Sequence, residues 1–307
     1  MPGRRRKGRR VDGILLLDKP LGLSSNSALQ RARYLYQAQK AGHTGSLDPL
    51  ATGLLPICFG EATKASAFLL DADKRYRVTA RLGRQTTTGD TEGQTQRELP
   101  IPVLDPERIE QTLRRFTGTT RQVPPMYSAL KHQGRRLYAL AREGVEVERE
   151  PRTIHVHALK LLTFTEMTLE LDIRCSKGTY VRSLIEDIAV DLDSCGHVES
   201  LRRLSVGPFS AEQMLDFVQL EAVAQAGLEA LDRLLLPTEV AFQDWPSVEL
   251  DGDSAWYLQR GQAVQVARAP TQGWLCIYGP GRRLLGVGEV LDDGRITPRR
   301  LLVPEPG

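Results

Sequence analysis

The sequence predicts an α+β fold with a small β-barrel at its C-terminal end. Two observations predict it. Segments with the two-residue period of half-buried strands lie among segments with helical spacing over residues 11–247. From about residue 248 the texture changes. There Gly261, Gly273, Gly279, Gly281, Gly286, Gly288 and Gly294 punctuate short apolar runs, the pattern of a barrel with tight turns. A boundary is placed near Ser247, after Trp245-Pro246. The expected organisation is a basic disordered tail over 1–10, a large domain over 11–247 and the barrel over 248–307.

Element by element, Gly13 to Lys19 reads as a buried strand stopped by Pro20. Ser24, Ser25 or Asn26 can cap a helix reaching about Gln39. A loop rich in glycine follows, then a strand over Leu54–Phe59 and a helix from about Glu61 to Leu70. Tyr76 to Leu82 alternates polar and apolar residues and reads as a strand. Residues 83–104, rich in Thr, Gly and Gln, read as a loop excursion. Pro106 opens a helix with Ile109, Leu113 and Phe116 on one face, ended by Gly118. Gln122 to Ala129 is extended because Pro124-Pro125 forbids a helix. Leu137–Arg142 is a short helix closed by Gly144. Thr153–Leu162 and Thr168–Cys175 are strands, and Ser176-Lys177-Gly178-Thr179 turns into a helix containing Leu184, Ile185, Ile188 and Leu192. Leu201–Val206 is a further strand.

The 307 residues are 41% hydrophobic and 26% charged, an ordinary soluble composition. No apolar run approaches the roughly 20 residues of a membrane helix, and no apolar export core opens the chain. Cys58, Cys175, Cys195 and Cys276 lie far apart without a CxxC pair, which fits reduced thiols in the cytoplasm rather than zinc or redox chemistry. His155 and His157 are strand residues, with no nearby cysteine or acid to complete a metal site. No phosphate-cradling loop or dinucleotide fingerprint appears, so neither a nucleoside triphosphate nor a dinucleotide is indicated.

The net charge is only +3, but its distribution is uneven. Residues 1–10 carry five arginines and a lysine with no acid. Further basic clusters stand at Lys74-Arg75-Tyr76-Arg77, Gly134-Arg135-Arg136, Arg202-Arg203 and Pro298-Arg299-Arg300. A polyanion fits this distribution better than a small acidic molecule.

The segment Gly42-His43-Thr44-Gly45-Ser46-Leu47-Asp48-Pro49-Leu50-Ala51-Thr52-Gly53 places one acid among turn formers and small residues. Pro49 holds Asp48 away from helical geometry. Read alone, Asp48 is a turn residue more often than a catalytic one. An ionised Asp48 needs a cation to hold it, and Arg182, where a strand meets a helix, is a candidate; its alternative is a surface helix position. Tyr76 and Tyr180 stand beside basic residues and can either stack on bases or pack in the core. No second acid is paired with Asp48, which argues against an ordinary glycosidase.

These motifs, in this order and spacing, resemble the TruB family of tRNA pseudouridine synthases. The resemblance runs from Gly13-Ile14 and Asp18-Lys19-Pro20 through the Asp48 segment, Gly60-Glu61-Ala62-Thr63-Lys64 and Asp73-Lys74-Arg75-Tyr76. It continues over Gln122 to Lys131, Ser176 to Leu184 and Leu201-Arg202-Arg203-Leu204. It implies a pseudouridine synthase fold, a mixed and mainly antiparallel sheet flanked by helices, with a C-terminal RNA-binding domain similar to PUA domains. It implies isomerisation of a uridine in the tRNA T-loop, at tRNA position 55, with no cofactor, no metal and no membrane. The partner is the tRNA T-arm, no obligatory protein partner is expected, and the chain is expected to act as a monomer. Asp48 falls on the catalytic aspartate, Tyr76 on the base-stacking tyrosine and Arg182 on the arginine that pairs with the aspartate. His43 falls on the residue that fills the space left by the extruded base, and Tyr180 and Leu201 on positions bordering the pocket. Lys64 and Lys19 are candidates for backbone or structural contacts.

Overall fold

A computed structural model describes residues 8–302. Strand β1 (Gly13–Lys19) leads through helix α1 (Ser25–Leu35) and β2 (Ala41–His43) to β3 (Thr52–Phe59) and then β4 (Lys74–Leu82). Helix α2 (Pro106–Arg115), β5 (Gly118–Gln122), β6 (Arg152–Phe164) and β7 (Thr168–Cys175) follow. Helix α3 (Val181–Asp191) and β8 (Gly196–Val206) close the main sheet, whose order is β1-β3-β8-β4-β7-β6-β5. Along this path every neighbouring pair is antiparallel except β3 and β8. The sheet is therefore mixed and mainly antiparallel.

Burial explains why each strand reads as it does. In β4, Lys74, Tyr76, Val78, Ala80 and Leu82 are buried while Arg75 and Arg77 face water, so the strand alternates. Strand β1 does not alternate because both its faces are covered. Leu15 and Leu17 join the main core with α1 and α3; Ile14 and Leu16 join a second core with Phe242, Cys276 and Val287. Helix α3 buries Leu184, Ile185, Ile188 and Ala189 against the sheet.

Strands β3 and β8 run parallel where Gly53 lies opposite Arg203. Gly53 has φ +96°, and a Cβ there would sit 2.3 Å from the Arg203 carbonyl oxygen. Only glycine admits both the backbone angle and the approach. Gly53→Ala is expected to destabilise the chain by at least about 2 kcal/mol in urea unfolding. An unchanged midpoint would show that the two strands can part freely.

Several elements differ from the sequence reading. Helix α1 stops at Leu35 rather than Gln39, because Tyr36 turns inward and Gln37 takes φ +48°. The Tyr36 hydroxyl donates to the Leu231 carbonyl at 3.0 Å. The expected helix over Glu61–Leu70 is a 3₁₀ turn (Gly60–Lys64) followed by a short helix (Ser66–Asp71). Strand β8 begins at Gly196, five residues before the expected Leu201. Residues 83–104 hold a hairpin of Arg84–Thr86 with Thr95–Glu98. Of the expected tail, residues 1–7 lie outside the described residues, and Gly8 to Arg10 are not free: Arg9 makes two 2.6 Å bonds to the Asp232 carboxylate, and its N–H donates to Gln37.

The C-terminal part is a four-stranded sheet of β9 (Ser247–Glu249), β10 (Gly273–Gly279), β11 (Arg283–Val290) and β12 (Ile296–Leu301), paired in that order. The expected barrel does not close, since β9 and β12 are not paired with each other among the described residues. A bridge from Val264 to Ile296 extends the open sheet, and Val248, Leu258, Leu275, Ile277 and Ile296 give it a core of its own. Phe68, Phe242, Trp245 and Trp274 pack edge to face where it meets the large domain.

Candidate active site

The loop between β2 and β3 is pinned at several points, and Asp48 is its half-buried apex. Ser25, at the start of α1, accepts the Leu47 N–H at 2.7 Å and donates to the Leu47 carbonyl at 2.9 Å. Leu47 and Leu50 point into the core on either side of Asp48. The Pro49 carbonyl accepts from the Gly22 N–H at 2.8 Å and from Lys19 Nζ at 3.4 Å. Lys19 is fully buried and also donates to the Pro20 and Leu23 carbonyls, so it braces the loop from below. Burial lowers its pKa to about 8, against the pull of Asp48.

Arg182 lies in the first turn of α3 with its side chain only 7% exposed. The start of that helix is fixed by Gln122, whose side-chain amide exchanges two hydrogen bonds with the Tyr180 backbone, at 2.8 and 3.0 Å. Arg182 Nη2 is 3.0 Å from Asp48 Oδ2 and donates to the Tyr127 carbonyl at 2.7 Å. Its Nη1 donates to the Thr88 carbonyl at 2.7 Å and lies 3.4 Å from Asp90 Oδ2. One guanidinium thus gathers the Asp48 loop, the excursion after β4 and the extended segment after β5.

Burial raises the pKa of Asp48, and Asp90 adds to the rise; Arg182 and then Lys19 oppose it. Arg182 favours the charged form, but desolvation outweighs it. The acidic limb of any Asp48-dependent rate is therefore expected above the ordinary aspartate value, with activity rising as pH rises through it. A pH–rate profile under single-turnover conditions checks this.

The other candidates fall mostly around Asp48. Tyr76 stands on the central strand β4, buried, within electrostatic reach of Asp48; burial raises its pKa and Arg203 opposes the rise. Tyr180 precedes Arg182 and feels both Arg182 and Asp48. Leu201, on β8 opposite Val78, lines a cleft of about 620 Å³ with Leu50, Thr52 and Thr79. His43 ends β2; burial and Arg203 lower its pKa, favouring the neutral ring, and its Nδ1 is buried without a partner among the described residues. Thr44 Oγ1, next to it, is also buried and unpaired. Lys64 is not brought to this group: it pairs with Glu61 and donates to the Leu301 carbonyl at 3.0 Å, tying the 3₁₀ turn to the C-terminal sheet.

Four residues at the site carried no assigned role in the sequence reading. Asp90 is buried and accepts from Thr88 Oγ1 at 2.5 Å and from the Glu92 N–H at 3.1 Å. Glu92 lies exposed on the rim of the cleft and feels Asp48. Gln122 sets the α3 start, and Arg203 is buried beneath the loop. The outcome is one half-exposed carboxylate fixed on a buried cation, with an aromatic strand residue in electrostatic reach, and Leu50, two residues on, lines the cleft. Such a group can act as nucleophile or base.

The mixed, mainly antiparallel sheet with its flanking helices is that of the pseudouridine synthase fold. The solved Cbf5–Nop10–Gar1 complex superposes with a TM-score of 0.75, covering 95% of this chain and 85% of that one at 22% identity. A structure of an H/ACA ribonucleoprotein bound to a substrate RNA containing 2′-deoxyuridine superposes with a TM-score of 0.74 at 21% identity, covering 95% and 85%. At these identities the likeness speaks for the fold. The sequence carries the assignment further. Residues 33–181 match the N-terminal domain of TruB family pseudouridylate synthase, 182–243 the tRNA pseudouridylate synthase B C-terminal domain, and 246–302 the C-terminal domain of pseudouridine synthase II TruB. The chain is 52% identical to tRNA pseudouridine synthase B of Nitrosococcus oceani over 99% of both chains. It is 51% identical to the protein of the same name in Coxiella burnetii (strain RSA 331) over 96% of both. This chain belongs to the TruB family of pseudouridine synthases. Among the described residues no helix is long and apolar enough to cross a membrane.

Proposed function

We propose that this chain converts uridine to pseudouridine in the T-loop of tRNA, with Asp48 as the catalytic carboxylate acting on a flipped-out nucleotide. The observation that carries the reading is the Asp48–Arg182 pair, held at 3.0 Å with Asp48 half open to solvent and Arg182 buried. The reaction cleaves an N-glycosidic bond and rejoins the same uracil through carbon. It is redox-neutral and needs no external energy, so one ionised carboxylate suffices, as nucleophile at ribose C1′ or uracil C6 or as base at C2′.

A base inside a folded loop must leave its stack to reach Asp48, at a cost of a few kcal/mol. Tyr76 offers the flipped base a face to stack on, Tyr180 and Leu201 border it, and His43 fills the space it leaves. Arg77, paired with Glu170, and Arg202, paired with Asp18, line the cleft and are cations that phosphates can recruit. The C-terminal sheet is an accessory RNA-binding domain in this reading, and the chain works in the cytoplasm as a monomer without a cofactor.

Incubating the purified chain with a T-arm stem-loop tests the reaction class. Pseudouridine is expected with no free uracil; released uracil would mark a nucleosidase, with Glu92 as the second acid. Tyr76→Leu is expected to lower turnover about 100-fold or more while tRNA affinity changes less than about threefold. A tenfold loss of binding with unchanged turnover would assign Tyr76 to affinity alone.

A further inference from the structure

Arg203 is 1% exposed, the largest of the fully buried side chains. A buried cation ordinarily has a carboxylate partner. Arg203 has none among the described residues; its Nε donates to the Leu54 carbonyl at 2.7 Å and its Nη2 to the Gly45 carbonyl at 3.1 Å. Tyr76 stands opposite it in register, where β8 pairs with β4, and the two side chains interact electrostatically. Lys19, Lys74 and His43 face Arg203 from the neighbouring elements, and none supplies negative charge. Tyr76 in turn faces Arg203 on β8, Cys175 on β7 and Asp48 in the loop.

A guanidinium only donates, so in a hydrogen bond between the two the Tyr76 oxygen is the acceptor. The phenol hydrogen is then directed away from Arg203 and is free for another acceptor. Gly45, bonded to the same guanidinium, lies three residues before Asp48 and takes φ +111°. We propose that Arg203 is a positioning residue that fixes the Tyr76 hydroxyl and the Asp48 loop in one frame, donating to the phenol oxygen so that its hydrogen points toward the bound base. This rests on the proposed uridine isomerisation only for its rate readout. The adjacent cation also makes the phenol more acidic than its burial alone would leave it.

The test uses Arg203→Met and Arg203→Lys in the full chain, each also combined with Tyr76→Phe, with thermal unfolding as the check of folding. Tyrosine is labelled with ¹³C at Cζ, and the Tyr76 resonance is identified by its loss in Tyr76→Phe. The Tyr76 resonance is expected to titrate at higher pH in Arg203→Met than in the unaltered chain, whether or not any substrate is turned over. Arg203→Met is expected to slow a single turnover about 100-fold alone but less than about threefold on top of Tyr76→Phe, since the two act as a unit. Arg203→Lys, which keeps the charge, recovers the rate to within about tenfold; if the methionine variant does not fold, Arg203→Gln carries the rate and titration comparisons in its place. Identical Tyr76 titrations in the unaltered and Met chains, or equal rate losses in both backgrounds, would overturn the proposal. Absence of pseudouridine with the unaltered chain would instead defeat the proposed function, leaving the titration to judge Arg203.

Discussion

Asp48→Asn is expected to lower pseudouridine formation by at least about 10⁴-fold while tRNA binding stays within about threefold. Asparagine has nearly the shape of aspartate and can still accept a hydrogen bond from Arg182. It cannot serve as a base or a carboxylate nucleophile. The contacts that pin the loop run through Ser25, Lys19 and Gly22 to the backbone at Leu47 and Pro49, so they survive the change. Because Asp48 itself is half open to solvent and Arg182 keeps Asp90 as a partner, the loss weighs little on stability. Single-turnover conversion and filter binding on the same tRNA separate the two effects. Binding lost together with activity would mean that Asp48 holds the RNA rather than transforming it.

Arg182→Met is expected to damage both fold and chemistry. Methionine keeps much of the length and the packing against α3. It strands Asp90, whose carboxylate is 2% exposed, and removes the donor from the Thr88 and Tyr127 carbonyls. Breaking a buried pair by deleting one partner costs about 3–5 kcal/mol, and urea unfolding is expected to show a loss of that size. In chain that remains folded, turnover is expected to fall about 10³-fold, because the carboxylate is no longer aimed. The pH dependence gives a separate sign. Arg182 lowers the Asp48 pKa against burial, so its removal moves the acidic limb of the rate profile to higher pH. An acidic limb left in place would show that Arg182 does not govern the charge on Asp48.

Much of this site was legible because its parts are marked locally. The glycines and Pro49 around Asp48 mark a shaped loop. Arg182 follows a strand and a Ser-Lys-Gly-Thr turn, which places it at a helix start where it can reach the sheet edge. Strands β4 and β7 alternate because one face of each meets the core. Other parts depend on contacts far along the chain. Asp90 sits in a polar excursion whose composition says loop, and only the arrival of Arg182 from 92 residues away makes it a buried acid. Arg203 had a usable signal: Leu201 and Arg203 are two apart on β8 and share its buried face, whereas Arg202 between them reaches Asp18 in an ion pair. Arg202-Arg203 looks like one basic cluster, but the two-residue period of the strand puts them on opposite faces. Lys64 sits in a motif beside the site segments, yet its partner Leu301 lies 237 residues away. The open C-terminal sheet has the same cause. Glycine punctuation announces short strands and turns, but closure depends on whether the first and last strands meet, which no local pattern specifies.

The most direct measurement maps pseudouridine along a full tRNA transcript after incubation with the purified chain alone. The account predicts one modified uridine, in the T-loop, formed without added cofactor or protein and absent with Asp48→Asn. Modification outside the T-loop, none at all with the unaltered chain, or undiminished modification by the asparagine variant would contradict it.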